Sequence, residues 1–225
     1  AIIDLGDFDG DGLGDALVGA PGAGSGAVYL MAGSTAPSSG LLTNLATAVL
    51  LGDNDGDSAG AALSAGDLDG DGDTDVVVGA PRQVTQVGRV HVVSGPDFTG
   101  TRALADAAFV NYTGTTVFGN AGASVASGSD VDGDGLDDLF IGGPGDSDGG
   151  GGSGAAWLVI SGLSGNRALA NSDASFTGGG QDDAAGVSVG LGDFNGDGLG
   201  DVVFGVPGED NLGDEGATYI GFSGY

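Results

Sequence analysis

Four nine-residue segments place oxygen donors at alternating positions. Residues 7–15 read DFDGDGLGD, 67–75 DLDGDGDTD, 130–138 DVDGDGLDD and 193–201 DFNGDGLGD. Side chains one, three and five of such a segment converge when the chain curls around a hard cation. A glycine at position six permits the turn, a main-chain carbonyl at seven adds an oxygen, and the acid at nine closes the shell. The predicted ligands of the first loop are Asp7, Asp9, Asp11, the carbonyl of Leu13, and Asp15. The second loop offers Asp67, Asp69, Asp71, the carbonyl of Asp73, and Asp75, and the third Asp130, Asp132, Asp134, the carbonyl of Leu136, and Asp138. The fourth offers Asp193, Asn195, Asp197, the carbonyl of Leu199, and Asp201. An all-oxygen set of this size selects Ca2+, so about four Ca2+ ions are expected, one per loop. Ordinary acidic turns also use Asp and Gly, but they do not need acids at alternate positions in every copy. Carboxylates this crowded repel one another unless a cation lies between them.

The elements that hold these loops must themselves repeat. The first residues of the loops, Asp7, Asp67, Asp130 and Asp193, are spaced by 60, 63 and 63 residues. A fixed period of this size is the signature of a repeat architecture. Each loop leads into an apolar run ending in a turn: ALVGAP, VVVGAP, LFIGGP and VVFGVP. A second run follows after a variable polar stretch, beginning at Gly26, Gly88, Gly154 and Gly216. Small-residue segments precede three loops (GAALSAGD, GASVASGSD and GVSVGLGD), and short runs AVLLGD, FVNYTG and ASFTG close the first three units. Runs of four to eight residues bounded by Gly, Pro and Asp are strand punctuation. Leu41 to Leu51 is the best helical candidate and is expected to hold at most one short helix. Each unit therefore reads as a four-stranded antiparallel meander. Runs such as Val76-Val77-Val78, apolar at every position, suit strands packed on both faces, as in a propeller blade. The expected fold is all-β, with blades at about 1–54, 55–116, 117–180 and 181–225 of a single propeller segment.

Composition sets the limits. The 225 residues carry 32 acids against four bases, a formal charge of −28. A surface this acidic does not hold nucleic acid through its phosphates. No run is long and apolar enough for direct membrane insertion. The absence of Cys excludes disulfides, a thiol nucleophile and a thiolate metal site. A helix after each loop would mark an EF-hand or dockerin, but a β-run follows here. Thrombospondin-type calcium repeats interleave Cys, and RTX repeats recur every nine residues.

On these motifs the chain resembles the FG-GAP repeats of integrin α-subunit β-propellers. The third unit is read with Phe118-Gly119 as the "FG" pair, then Asp130 to Asp138, then Gly143-Pro144. Gly19-Ala20-Pro21 and Gly79-Ala80-Pro81 carry the literal GAP, while Ala59-Gly60 and Ala185-Gly186 stand for FG in the second and fourth units. The resemblance implies metal loops joining the first two strands of each blade, in a ring that usually has seven blades. About fifteen strands are expected here, the last blade lacking its outer strand. The expectation is a piece of a longer propeller, or copies that complete one another as a homo-oligomer.

Other candidate residues give weaker signals. His91 is the only histidine, but Tyr29, Trp157 and Tyr219 occupy its position in the other units, which points to packing rather than catalysis. No Ser-His-Asp arrangement or nucleophile elbow is present. The loops after Pro21, Pro81, Pro144 and Pro207 vary most and lie opposite the metal loops, where binding usually lives, with Arg82 and Arg89 as contact charges. The expected function is non-enzymatic: an extracellular or cell-surface calcium-binding propeller for adhesion or recognition of a protein or glycan ligand. The alternatives are an accessory or catalytic propeller of a secreted hydrolase and a self-assembling structural repeat. Ca2+ at the micromolar to millimolar level that such loops need favours the exterior.

Overall fold

The computed structural model describes residues 1–22, 24–34, 39–95, 98–160, 164–209 and 215–224. Among these, the fold is all-β and propeller-like, with four sheets in chain order. The first holds β1 (Ile2–Gly6), β2 (Asp15–Ala20), β3 (Ala27–Met31) and β4 (Ala48–Leu51). The second holds β5 (Ala62–Gly66), β6 (Asp75–Ala80) and β7 (Arg89–Val93); after β8 (Gly100–Ala103), β9 (Val110–Thr113) completes its meander. The third holds β10 (Ser124–Ala126), β11 (Leu139–Gly143) and β12 (Ala155–Val159); after β13 (Gly165–Ala168), β14 (Ala174–Thr177) completes it. The fourth holds β15 (Val189–Gly192), β16 (Asp201–Val206) and β17 (Ala217–Gly221). Consecutive meander strands pair antiparallel throughout.

Two strands depart from the four-stranded expectation. β8 leaves the second unit to pair parallel with β4 of the first sheet, and β13 leaves the third to pair parallel with β9 of the second. The second and third units thus cover the outer edge of the sheet before them, which removes an exposed ladder of N–H and C=O groups. The strands read as GTRA and GNRA, polar and without alternation, so no hydrophobic period announces them. The 41–51 segment holds α1 (Leu42–Leu45) and then β4. Two further short helices, α2 (Gln83–Gln86) and α3 (Leu104–Ala107), were not expected.

The core lies in the seams between sheets. Leu17, Val28, Leu50, Val76, Val78 and Leu104 fill the first seam. Val77, Val90, Leu139, Ile141, Trp157 and Leu169 fill the second, and Phe140, Val202, Phe204 and Val206 the third. Neighbours in β6 thus serve opposite seams: Val76 and Val78 the first, Val77 the second, which is why the run is apolar throughout. Full burial of each such side chain contributes about 1.5–3 kcal/mol.

The repeated glycines hold the seams at one end without side chains. The carbonyls of Gly60, Gly122 and Gly186 lie against Gly19, Gly79 and Gly142 of the sheet before, while their N–H groups donate within their own sheets to the carbonyls of Gly79, Gly142 and Gly205. Isolated parallel bridges join Gly26 to Ala59, Gly88 to Ala121 and Gly154 to Ala185. A Cβ on Gly142 would collide with the Gly186 carbonyl, so the motif glycine is fixed by backbone approach rather than by turn chemistry. The "FG" position of the third unit is corrected here. Ala121-Gly122 makes the contacts of Ala59-Gly60 and Ala185-Gly186, three residues after Phe118-Gly119. Phe118 is exposed, with φ +66°, and packs in no seam.

Candidate metal centres

Each loop runs from the first strand of its sheet to the second, and all four adopt one hydrogen-bond pattern. The position-one carboxylates, Asp7, Asp67, Asp130 and Asp193, accept from the position-six glycine N–H at 2.8–3.1 Å. Position three (Asp9, Asp69, Asp132, Asn195) accepts from the N–H of position five at 2.8–3.1 Å. Position five (Asp11, Asp71, Asp134, Asp197) accepts from the N–H of position seven at 2.8–2.9 Å. Each side chain therefore folds back over its own loop, as in successive Asx turns. Glycines at positions four and six take positive φ in every copy, from +77° to +92°.

The ninth-position acids are different in kind. Asp15, Asp75, Asp138 and Asp201 are buried at the mouth of the second strand. Their Oδ2 atoms accept from the N–H of position two, in Phe8, Leu68, Val131 and Phe194, at 2.7–2.9 Å. On the other oxygen, Asp15 accepts from Gly33 N–H and Asp201 from Ser223, which ties the loop to the end of the third strand.

Three clusters of carboxylate oxygens lie within 4.8 Å of one another: Asp7, Asp9 and Asp15; Asp67, Asp69 and Asp71; and Asp130, Asp132 and Asp138. Asp11, Asp134 and Asp75 stand outside these triads, and the fourth loop has no such acid triad among the described residues. There Asn195 turns its amide to donate to Asp197 Oδ2 at 2.9 Å. The residues present fit a hard divalent cation. The donor set is all oxygen, and burial, together with the charges of Asp69 and Asp71, pushes the Asp75 carboxyl up to about 7. Asp75 Oδ1 is buried without a hydrogen bond. A cation in this loop would offset the crowding of its carboxylates. Leu13, Asp73, Leu136 and Leu199 each sit at position seven, where the predicted donor is the main-chain carbonyl.

His91 is buried on β7, and its Nε2 lies 2.8 Å from Gln83 Oε1. Gln83 Nε2 donates to Asp53 Oδ2 at 2.6 Å. Gln83 Oε1 can only accept, so Nε2 carries the proton and the imidazole is held as one tautomer. Burial lowers its pKa to about 4, against the opposing pull of Asp53. Tyr29 and Trp157 occupy the same register and are also buried, whereas Tyr219 on β17 is 43% exposed. The His91–Gln83–Asp53 chain was not legible beforehand, because Gln83 lies in the variable loop that forms α2. In that loop Arg82 is exposed; at the start of β7, Arg89 Nε donates to Thr113 Oγ1 at 3.3 Å. Part of the loop after Pro207, residues 210–214, lies outside the described residues, as does Tyr225.

The profile of the FG-GAP repeat matches residues 1–31, 59–93, 121–159 and 185–220. Integrin alpha-PS2 of Drosophila melanogaster is 42% identical over 91 residues, 40% of this chain and 6% of the relative. Integrin alpha-8 of Gallus gallus is 34% identical over 85 residues, 38% of this chain and 7% of the relative. Integrin alpha-IIb of Homo sapiens is 33% identical over 93 residues, 38% of this chain and 9% of the relative. The chain thus spans less than a tenth of the length of these relatives. The crystal structure of the V. cholerae biofilm matrix protein Bap1 aligns over 99% of this chain and 38% of its own, at 17% identity and a TM-score of 0.39.

Proposed function

Since this chain belongs to the FG-GAP repeat family, we propose that it is a recognition module whose fold is stabilised by calcium and which works in an extracellular or cell-surface protein. The observation that carries the calcium half is the loop pattern: one set of carboxylate-capped turns, four times, with three acid triads. Ca2+ in each loop would offset the crowded carboxylates and hold the first and second strands of the sheet together. Its role is structural, with no reaction assigned to it. Free Ca2+ is abundant outside cells, which supports that setting. The recognition half follows the repeat. The scaffold is constant, while the loops between second and third strands differ in every unit. A non-catalytic role is supported by His91, whose imidazole is buried and engaged by Gln83. No helix among the described residues is long and apolar enough to cross a membrane.

The partner reading rests on the fourth sheet. In it Tyr219 and Ile220 are 43% and 52% exposed, and Phe222 beyond it is 51% exposed. Corresponding third-strand residues Val90 to Val93 and Ala155 to Val159 are buried by neighbouring sheets. A further repeat, in the same protein or in a second copy, would cover this face as each sheet covers the one before. The test is a thermal melt and a sedimentation run, each in Ca2+ and in EDTA. Chelation is expected to lower the melting temperature by 10 °C or more, about 2.5–5 kcal/mol at this size. An unchanged melt contradicts the calcium reading, and a monomer at all concentrations contradicts pairing of copies.

A further inference from the structure

The three seams are not closed alike at the metal-loop end. In the second seam Leu136 reaches over the second loop, where a Cβ on Gly70 would meet its Cδ2 at 2.7 Å. Asp137 N–H donates to Asp67 O at 3.0 Å, and Asp137 Oδ2 accepts from Asp67 N–H at 2.9 Å. The third seam repeats this. Leu199 covers Gly133, and Gly200 N–H donates to Asp130 O at 2.6 Å. In the first seam the equivalent residues are Asp73 and Thr74. Gly10, the counterpart of Gly70, has nothing within 4 Å of its Cβ position, and no hydrogen bond joins Thr74 to Asp7.

A cavity of about 420 Å³ occupies the place of the missing contacts. Its inner wall is Phe8, Leu30 and Phe98, and its polar lining includes Asp9, Asp73 and Thr74. The two rings pack edge to face, with centroids 6.5 Å apart, which sets the apolar wall. Among the described residues, no basic side chain lines the cavity. The Asp73 carboxylate is exposed and accepts no hydrogen bond from the described residues. This volume is in the range of small-ligand sites.

We propose that this first-seam cavity binds an alkyl ammonium or guanidinium group, its aliphatic stem against Phe8, Leu30 and Phe98 and its cationic head on Asp73. Charge decides the class. An anion is repelled by the Asp73 carboxylate and by an acidic chain, which carries −28 before any cation binds. A wholly apolar ligand would cover Asp73 without pairing it, which costs more than the apolar contact returns. A neutral polyol could bond Asp73 and Thr74 but would leave the apolar wall unused and gain nothing from the charge. A cation on a flexible apolar stem satisfies both halves. The ligand is either a free amine or guanidine, or a lysine or arginine side chain of a peptide. This inference deepens the recognition reading and does not need a cation in the loops, so a failed calcium titration leaves it standing.

The test is a calorimetric titration of the whole chain, in saturating Ca2+ and in EDTA, with agmatine, the tripeptide Gly-Arg-Gly and methyl glucoside. Agmatine is expected to bind in the roughly millimolar range and to weaken with salt. A tighter tripeptide assigns the site to a peptide side chain, and an equal or weaker one to a free small molecule. Asp73→Asn should weaken binding at least tenfold. Asp73→Leu, which installs the residue found at this position in the other three loops, should abolish it. Thr47→Phe, which fills the cavity from the β4 side, is expected to abolish it too, with a melt showing that each variant is folded. Binding of methyl glucoside but not agmatine, agmatine binding unchanged in Asp73→Asn, or no agmatine binding overturns the proposal.

Discussion

At the glycine end of the seams, the carbonyls of Gly60, Gly122 and Gly186 lie against Gly19, Gly79 and Gly142 of the sheet before, in the same way three times. At the metal-loop end, Leu136 and Leu199 close two seams, while Asp73 and Thr74 leave the first one open. The first kind of contact is backbone on backbone, where an added Cβ would collide with a carbonyl in all three copies. The second kind is side chain on glycine, where a single replacement opens a cavity without touching the strands. The repeat is thus rigid where main chains meet and adaptable where side chains meet.

The largest effect lies at Gly142. Gly142→Val would drive Cβ into Gly186 O and the Ser124 hydroxyl, and should cost more than about 4 kcal/mol or prevent folding. Gly14→Ala, at a glycine with nothing within 4 Å, should stay within about 0.5 kcal/mol. Equal urea midpoints for the two would refute the backbone argument.

A smaller effect lies on β7. His91 has its pKa lowered to about 4 in the folded chain, from an ordinary 6.5. The unfolded chain therefore binds the proton first, and stability is lost as pH falls from about 6.5 to about 4. The loss attributable to His91 is on the order of 2–3 kcal/mol. Comparing the wild type with His91→Phe in saturating Ca2+ removes the acid dependence common to both, and the variant should show the flatter curve. Parallel curves would place the pH dependence elsewhere.

The smallest effect has the opposite sign. Asp73→Leu should raise stability by about 1 kcal/mol or less, by closing the first seam as Leu136 closes the second. A clear loss in the calcium-loaded melt would mean that the open seam is not an unfilled version of the others.

Much of this was legible in the sequence because the chemistry recurs. Acid spacing located all four loops, and runs such as Val76-Val77-Val78 gave the doubly packed strands. β8 and β13 were missed because strands that pair only at an outer edge need no hydrophobic period. The misplacement at Phe118-Gly119 has a related cause. The literal letters of a motif were preferred to the residue whose lack of a side chain the seam requires, Gly122. The first-seam cavity was invisible because Asp73 looked like one more acid in an acidic loop, when its meaning lies in the leucine it replaces.

Calcium in the four loops is read out by isothermal titration of the cation-free chain with Ca2+. The prediction is saturable binding near four equivalents, the loop with Asn195 weakest. Heat no larger than that of dilution, or Ca2+ bound no better than Mg2+, would contradict the account.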